Sequence, residues 1–292
     1  MQKKNYDIAA LHVYTSLFSE SVYSNLLRLN DFSIFDAVIR QFDSHHIGEY
    51  FSSYWEYLSY VYKILLRCYR NEYVYKNCFL NDILIKQYGL RSTVAFSEFK
   101  VGNAIADLAL FNGTSKAFEI KTEMDNERRL NNQLEEYAKL FEECFIVVPE
   151  DLLTKYEKLI TDKVGIVVFA KLDSGRYQMK EIRTAMKNES FDADVMMRSV
   201  RCQEYKNMTQ EAYGKLPDVS CFEMYDKCKL LLEDVDRLTL QRLFLNEIKK
   251  RKNNTSLLRA FPKEIRQLCL SMNLNMKKYD SLKLKMDNLI KL

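Results

Sequence analysis

The stretch Val101–Tyr137, VGNAIADLALFNGTSKAFEIKTEMDNERRLNNQLEEY, decides the fold of this chain. Small and apolar residues dominate the segment 104–111, and a shorter apolar segment with charged residues among it runs from 116 to 121. Between them stands Asn112-Gly113, a dipeptide typical of the two-residue turn that joins antiparallel strands. From Asp125 to Glu143 the apolar residues recur every three or four positions, which is the spacing of a helix. The stretch therefore predicts a strand, a turn, a second strand and a helix.

Both predicted strands carry charged side chains that buried strands seldom contain. Asp107 lies within the first strand, and Glu119 and Lys121 lie at the end of the second. Because residues two apart on a strand share a face, Glu119 and Lys121 point the same way, and Asp107 can approach them across the hairpin. Gln133 and Tyr137 are four residues apart and share one face of the helix that follows. Two carboxylates and an ammonium group beside an apolar sheet make a plausible site for a hard divalent cation.

These residues stand in the order and spacing of a known motif set. Asp107, eleven intervening residues and then Glu119–Lys121 resemble the motif that gives the PD-(D/E)XK nuclease superfamily its name. Gln133 and Tyr137 resemble the QxxxY signature of the RecB-like branch of that superfamily. The resemblance covers roughly residues 70–170. It extends to a group of small uncharacterised bacterial and phage proteins that share the same motif set.

The resemblance implies a fold and a metal site. The fold would be α/β, a restriction-endonuclease-like core whose mixed central sheet is flanked by helices, with helical extensions at both ends of the chain. The carboxylates of Asp107 and Glu119, with the carbonyl of Ile120, would bind Mg²⁺, for which Mn²⁺ would substitute. Lys121 would position the attacking water and help to deprotonate it. The reaction would then be direct hydrolysis of a phosphodiester bond.

Further roles are implied outside this set. Gln133 and Tyr137 would hold the metal-side network or a backbone phosphate by hydrogen bonds. In the superfamily, a helix before the first strand often presents a glutamate that orients the metal or its water, and Glu72 is the candidate for that role. A solvent-facing Glu72 paired with Lys76 at i+4 is the alternative. Glu98 is a rival acid, which could reach the site from a neighbouring strand or face water.

Three hypotheses about function follow. The first is a metal-dependent nuclease that hydrolyses phosphodiester bonds of nucleic acid, with DNA favoured over RNA. The second is a catalytically inactive nucleic-acid-binding protein on the same fold. The third is a protein-interaction module, such as a defence component, in which Asp107 and Lys121 could form an ordinary cross-strand ion pair. A homodimer or another protein partner stays open under each of them.

Charge is distributed unevenly along the chain. Of 292 residues with a net charge of +4, residues 237–292 hold 14 Lys and Arg against 4 Asp and Glu, which leaves a net charge of −6 on the rest. A basic segment on an acidic body fits phosphate binding, although a solvated lysine-rich helical surface has the same composition. No apolar run approaches a membrane span, no signal-peptide cleavage site is apparent, and the seven scattered cysteines show no zinc-binding spacing. We therefore expect a cytoplasmic protein with free thiols.

The remaining pattern predicts three regions. Residues 1–69 form a helical N-terminal region, residues 70–182 the nuclease-like core, and residues 183–292 a helical, basic C-terminal region. Within the core, further strands are expected at the segments 93–100, 144–148, 164–170 and 176–182. A helix at 151–160 would make the second and third of these strands a parallel β-α-β pair.

Overall fold

The structure, a computed structural model, describes residues 6–291. A single six-stranded sheet lies at its centre, and strands that are neighbours in sequence are neighbours in the sheet. The strands are β1 Val94–Val101, β2 Ala104–Phe111, β3 Ser115–Ile120, β4 Glu143–Pro149, β5 Gly165–Lys171 and β6 Tyr177–Arg183. Strands β1 to β3 are antiparallel, β3 to β5 are parallel, and β6 returns antiparallel to β5. The predicted α/β class with a mixed central sheet is confirmed.

Helices cover both faces of this sheet. They are α1 Ile8–Ser16, α2 Glu20–Leu29, α3 Ser33–Val38, α4 Tyr54–Cys68, α5 Glu72–Phe79, α6 Leu130–Ala138, α7 Leu153–Glu157, α8 Ala193–Ser199, α9 Cys202–Tyr213, α10 Met224–Glu233, α11 Arg237–Lys250, α12 Arg266–Ser271 and α13 Met276–Met286. Helix α5 continues as a π-helix over Leu80–Tyr88. Within the described residues no helix is both long and apolar enough to cross a bilayer.

Each face of the sheet has its own apolar core. Helices α1 to α5 pack on one face together with α12 and α13, around fully buried aromatic residues such as Tyr57 and Phe79. Helices α6 and α8 to α11 supply buried residues on the other face, where Phe141 and Phe244 lie. The C-terminal helices therefore divide between the two faces, and α12 contacts both β1 and α5. The three-region division of the chain stays a prediction.

The central hairpin forms at the predicted place with a longer connection than predicted. Three residues, Asn112–Thr114, join β2 to β3 instead of two, and Gly113 there has a φ of +108°, a conformation that favours glycine. The two strands pair from this turn as far as Leu108 and Phe118. Asp107 and Glu119 are therefore the next opposed residues, at the point where the pairing ends.

Two predicted helices are shorter than the sequence pattern suggested. The helix expected from Asp125 to Glu143 covers only α6, because the Asp125 carboxylate accepts hydrogen bonds from the backbone N–H of Thr122 at 2.8 Å and from its hydroxyl at 2.7 Å. These bonds hold the chain in a turn after β3, so that the helix begins later. The helix expected at 151–160 is reduced to α7 and a preceding 3₁₀ turn.

Candidate functional site

The five residues of the Asp-Glu-Lys and Gln-Tyr motifs lie together between the hairpin and α6. Glu119 is at the centre of the group and is only 2% exposed. Its Oε1 accepts a hydrogen bond from Lys121 Nζ at 2.7 Å, and its Oε2 accepts one from the Tyr137 hydroxyl at 2.6 Å. Lys121 Nζ also donates to Gln133 Oε1 at 3.2 Å. The strand and helix periodicities therefore place four of the predicted residues in one hydrogen-bonded network.

The fifth residue, Asp107, joins the group through the backbone. Its Oδ2 accepts a hydrogen bond from the Ile120 N–H at 2.7 Å, in the place where the strand pairing has stopped. Burial raises the pKa of Asp107 to about 7, and the nearby charge of Glu119 adds to the effect, while Lys76 and the Ile120 N–H oppose it. A raised pKa of this kind means that the ionised carboxylate is disfavoured at this position, first by loss of water and then by the charge of Glu119. A bound cation would favour the ionised form.

Tyr137 is fixed as a hydrogen-bond donor. Its hydroxyl also lies 2.6 Å from the carbonyl oxygen of Ile105, and its side chain is fully buried. Burial, with the charge of Glu119, raises the pKa of Tyr137 far above its usual value, so the hydroxyl keeps its proton at any physiological pH. Tyr137 therefore orients the Glu119 carboxylate and does not act as a base.

Glu72 and Glu98 lie beside this site as ion-pair partners of Lys76. The Glu72–Lys76 pair has the i+4 spacing of the alternative given for Glu72, and the Glu72 side chain is 58% exposed. The ammonium nitrogen of Lys76 lies 2.5 Å from Glu72 Oε1, 3.6 Å from Glu98 Oε1 and 3.6 Å from Asp107 Oδ1. Burial lowers the pKa of Lys76, but Asp107, Glu72 and Glu98 together outweigh it, so the net pKa shift is upward and the group is cationic. The sequence pattern predicts Lys76 only as an i+4 partner of Glu72, because nothing in it shows that β1 and β2 bring two more carboxylates to this lysine.

Glu98 has an unusual backbone for a strand residue. Its φ is +57°, a left-handed conformation that costs a non-glycine residue on the order of 1 kcal/mol, and its side chain is 71% exposed. In the register of β1 and β2 it lies between the pairs formed by Ser97 and Phe99, opposite Asp107. The strand continues through Glu98, but the pairing of β1 with β2 skips this position beside the carboxylate group.

The donor set fits a hard cation such as Mg²⁺. Across residues 6–291, no three His, Cys, Asp or Glu side chains are arranged to hold a metal ion by themselves. Mg²⁺, however, is usually bound by one or two carboxylates and keeps several of its waters. Asp107 and Glu119 supply two carboxylates, and each hydrogen-bonded oxygen keeps a second lone pair beyond its present hydrogen bond. With the Ile120 carbonyl they would provide the oxygen ligands that this ion prefers.

A matched pair of tyrosine variants tests whether the network is built as described. Tyr137→Phe should lower the free energy of unfolding by about 1–3 kcal/mol, because a buried carboxylate loses a donor. Tyr156→Phe should be neutral or slightly stabilising, since the Tyr156 hydroxyl is buried with no hydrogen-bond partner among the described residues. Urea unfolding of the two variants beside the wild type measures the difference. Equal effects of the two changes would contradict the Tyr137–Glu119 bond.

The fold and the site together define an α/β protein with a buried group of carboxylates and lysine at the edge of its central hairpin. The profile of the bacteriophage P4 protein cII family matches residues 67–273, more than two thirds of the chain. The chain belongs to the bacteriophage P4 protein cII family. The matched range contains the whole sheet and every residue of the candidate site.

Individual relatives are similar over shorter ranges. "Protein cII" of Enterobacteria phage P4 is 33% identical over 105 residues, which are 35% of this chain and 36% of that protein. The chain thus spans little more than a third of the length of the curated relative it matches. A solved structure, the SPO1766 protein of unknown function from Silicibacter pomeroyi, has 12% sequence identity and a TM-score of 0.32, and covers 51% of this chain and 94% of that protein. A similarity at that level supports no assignment.

Proposed function

We propose that this protein is a Mg²⁺-dependent nuclease of the PD-(D/E)XK type, with the RecB-like QxxxY variation. The observation that carries the proposal is the network in which Lys121 is bound to both Glu119 and Gln133 while Tyr137 holds the other oxygen of Glu119. The element order α5, three antiparallel strands, α6 and a parallel β4 supports it, since it builds the mixed central sheet flanked by helices which the motif resemblance implies.

The roles follow from the contacts. Asp107 and Glu119, with the Ile120 carbonyl, would hold Mg²⁺, which supplies positive charge for the phosphate and an acidified water. Lys121 would keep the attacking water in line with the scissile bond and face the phosphoryl oxygens. Gln133 fixes the direction of the Lys121 ammonium, because its amide oxygen accepts one of the three protons. In the hydrolysis, the water oxygen bonds to phosphorus and gives up a proton to solvent, the bond to the leaving oxygen breaks, and that oxygen takes up a proton from solvent.

Nucleic acid is the substrate class that these features favour, DNA ahead of RNA. The basic segment 237–292 supplies positive charge for phosphate contacts, each of which would release counterions and make binding salt-sensitive. All seven cysteines are free thiols, as suits a protein of the cytoplasm. Dimerisation, or a further protein partner, would provide the second cut that double-strand cleavage needs.

A second function has one specific observation in its favour. Lys76 already places a cation against Asp107, as a protein that binds nucleic acid without cutting it could do. That protein would keep salt-sensitive binding and lose hydrolysis.

Cleavage assays separate the two functions. We expect the wild-type protein to cut plasmid DNA or labelled single-stranded DNA with Mg²⁺ or Mn²⁺ and to stop cutting in EDTA, with RNA of the same sequence cut more slowly. Salt-sensitive DNA binding without cleavage in either metal would favour the inactive binder. Neither binding nor cleavage of any of these nucleic acids would overturn both.

A further inference from the structure

Lys76 is a buried cation at the meeting point of three elements. It lies on α5 with its side chain only 5% exposed, and it contacts Glu72 on its own helix, Glu98 on β1 and Asp107 on β2. A lysine is seldom buried unless its charge is paired, because an ammonium group loses strong hydration when it leaves water. The three carboxylates therefore form a cation-binding position, and Lys76 occupies it.

The arrangement around Asp107 resembles one half of a two-cation site. In two-metal nucleases and phosphatases a pair of cations lies about 3.5–4 Å apart, on either side of the reacting phosphate. Asp107 has one oxygen towards Lys76 and the other towards the Ile120 N–H, beside Glu119 and the carbonyl that would hold Mg²⁺. A carboxylate placed between two cation positions is what a two-cation site requires, and one of these positions already holds an ammonium group.

The net charge of the carboxylate and lysine side chains at this site matches one added divalent cation. The carboxylates of Glu72, Glu98, Asp107 and Glu119 face the two ammonium groups of Lys76 and Lys121. When all are ionised, four negative charges meet two positive ones, and the net charge of the group is −2. One divalent cation brings the group to neutrality, whereas a second would leave an excess positive charge in a partly buried site.

We propose that Lys76 is a resident cation in the second metal position, so that this site binds one divalent ion and not two. The inference rests on the proposed function, since it describes the metal site of the same nuclease. In this role Lys76 is a positioning residue for Asp107: its ammonium lies 3.6 Å from the outer carboxylate oxygen, while the inner oxygen, which also accepts the Ile120 N–H, faces the metal position.

The stoichiometry of Mn²⁺ binding tests this inference independently of cleavage. Electron paramagnetic resonance of free Mn²⁺, titrated with the full-length protein, should give one bound ion per wild-type chain and none in Asp107→Asn. Lys76→Met keeps the length of the side chain and removes its charge, and it should bind two ions. Lys76→Arg, which keeps the charge, should bind one ion like the wild type.

The other outcomes separate the inference from the proposed function. One ion in Lys76→Met with unchanged affinity, or two ions in the wild type, would overturn the role of Lys76 and leave the nuclease proposal standing. No Mn²⁺ binding by the wild type would overturn both.

Glu98→Gln supplies a test that does not depend on the folding of a Lys76 variant, because the Glu98 side chain is largely exposed. Lys76 occupies the cation position next to Glu98, so Glu98 does not touch the metal. The Glu98→Gln variant should therefore bind one Mn²⁺ with less than about a threefold loss of affinity, as the loss of a single screened charge would give. A loss of tenfold or more would place Glu98 on the metal and overturn the inference.

Discussion

Asp107→Asn will make the metal-free protein more stable at about pH 8, by roughly 2–4 kcal/mol. Burial and the charge of Glu119 raise the pKa of Asp107 to about 7, above the ordinary aspartate value of 3.8. The folded state therefore holds this proton more tightly than the unfolded state, and the wild-type protein loses stability as the pH rises from about 4 to about 7. Asparagine removes that loss, and it keeps an oxygen that can accept the Ile120 N–H. Thermal melts in EDTA should show a melting temperature higher by about 5–10 °C.

The pH dependence and a second carboxylate provide the controls. The gain from Asp107→Asn should shrink as the pH falls and disappear at about pH 3 and below, where the aspartate is largely protonated in both states. Glu204 is also buried, but its ion pair with Arg251 outweighs the desolvation and lowers its pKa, so Glu204→Gln should destabilise the protein at about pH 8. If Asp107→Asn is less stable than the wild type at that pH, Lys76 and Asp107 form a stabilising ion pair. That result would contradict the claim that ionised Asp107 lowers the stability of the metal-free protein.

Lys121→Met will lower the rate of cleavage by about 10²–10³-fold, the usual cost of removing one positioned donor that faces the charge developing in the transition state. The change removes the ammonium that is hydrogen-bonded to Glu119 and leaves the Tyr137 hydroxyl to hold that carboxylate. Methionine fills the same volume, so the fold should persist with a moderate loss of stability. Single-turnover cleavage with Mg²⁺, beside a thermal melt of the same preparation, measures both effects.

Lys116→Met is the matched control for this change. Lys116 lies on the same strand as Glu119, is buried to a similar extent as Lys121, and forms an ion pair with Glu143. Its substitution should cost comparable stability and leave cleavage within a few-fold of the wild-type rate. An equal loss of cleavage in both variants would show that Lys121 acts through the stability of the strand, and would contradict its proposed role at the phosphate.

Much of the fold could be predicted because its signals are local. The Asn112-Gly113 turn and the apolar strands around it need only the period of the side chains and the preference of glycine for positive φ. The division of the C-terminal helices between the two faces could not be predicted, since an amphipathic pattern shows that a helix buries one side and not which partner covers it. The sequence pattern did not predict the late start of α6. An aspartate can either cap the start of a helix or close a turn, and the residues around Asp125 do not show which.

The same distinction applies to the site. Glu119, Lys121, Gln133 and Tyr137 were predictable as neighbours, because fixed spacings on one strand and one helix bring them to a single face. Lys76 was not, since its three carboxylates come from α5, β1 and β2, and only the assembled sheet unites them. The left-handed backbone of Glu98 also has no local signal, because glutamate rarely adopts it.

The most direct test of the proposed nuclease is the cleavage rate of Asp107→Asn relative to the wild type, at about pH 8 with Mg²⁺. A carboxylate that lowers the stability of the metal-free protein is expected to serve the metal, so the variant should be more stable and yet inactive, with wild-type cleavage lost in EDTA. An Asp107→Asn protein that cleaves DNA at the wild-type rate would contradict the assignment of this site.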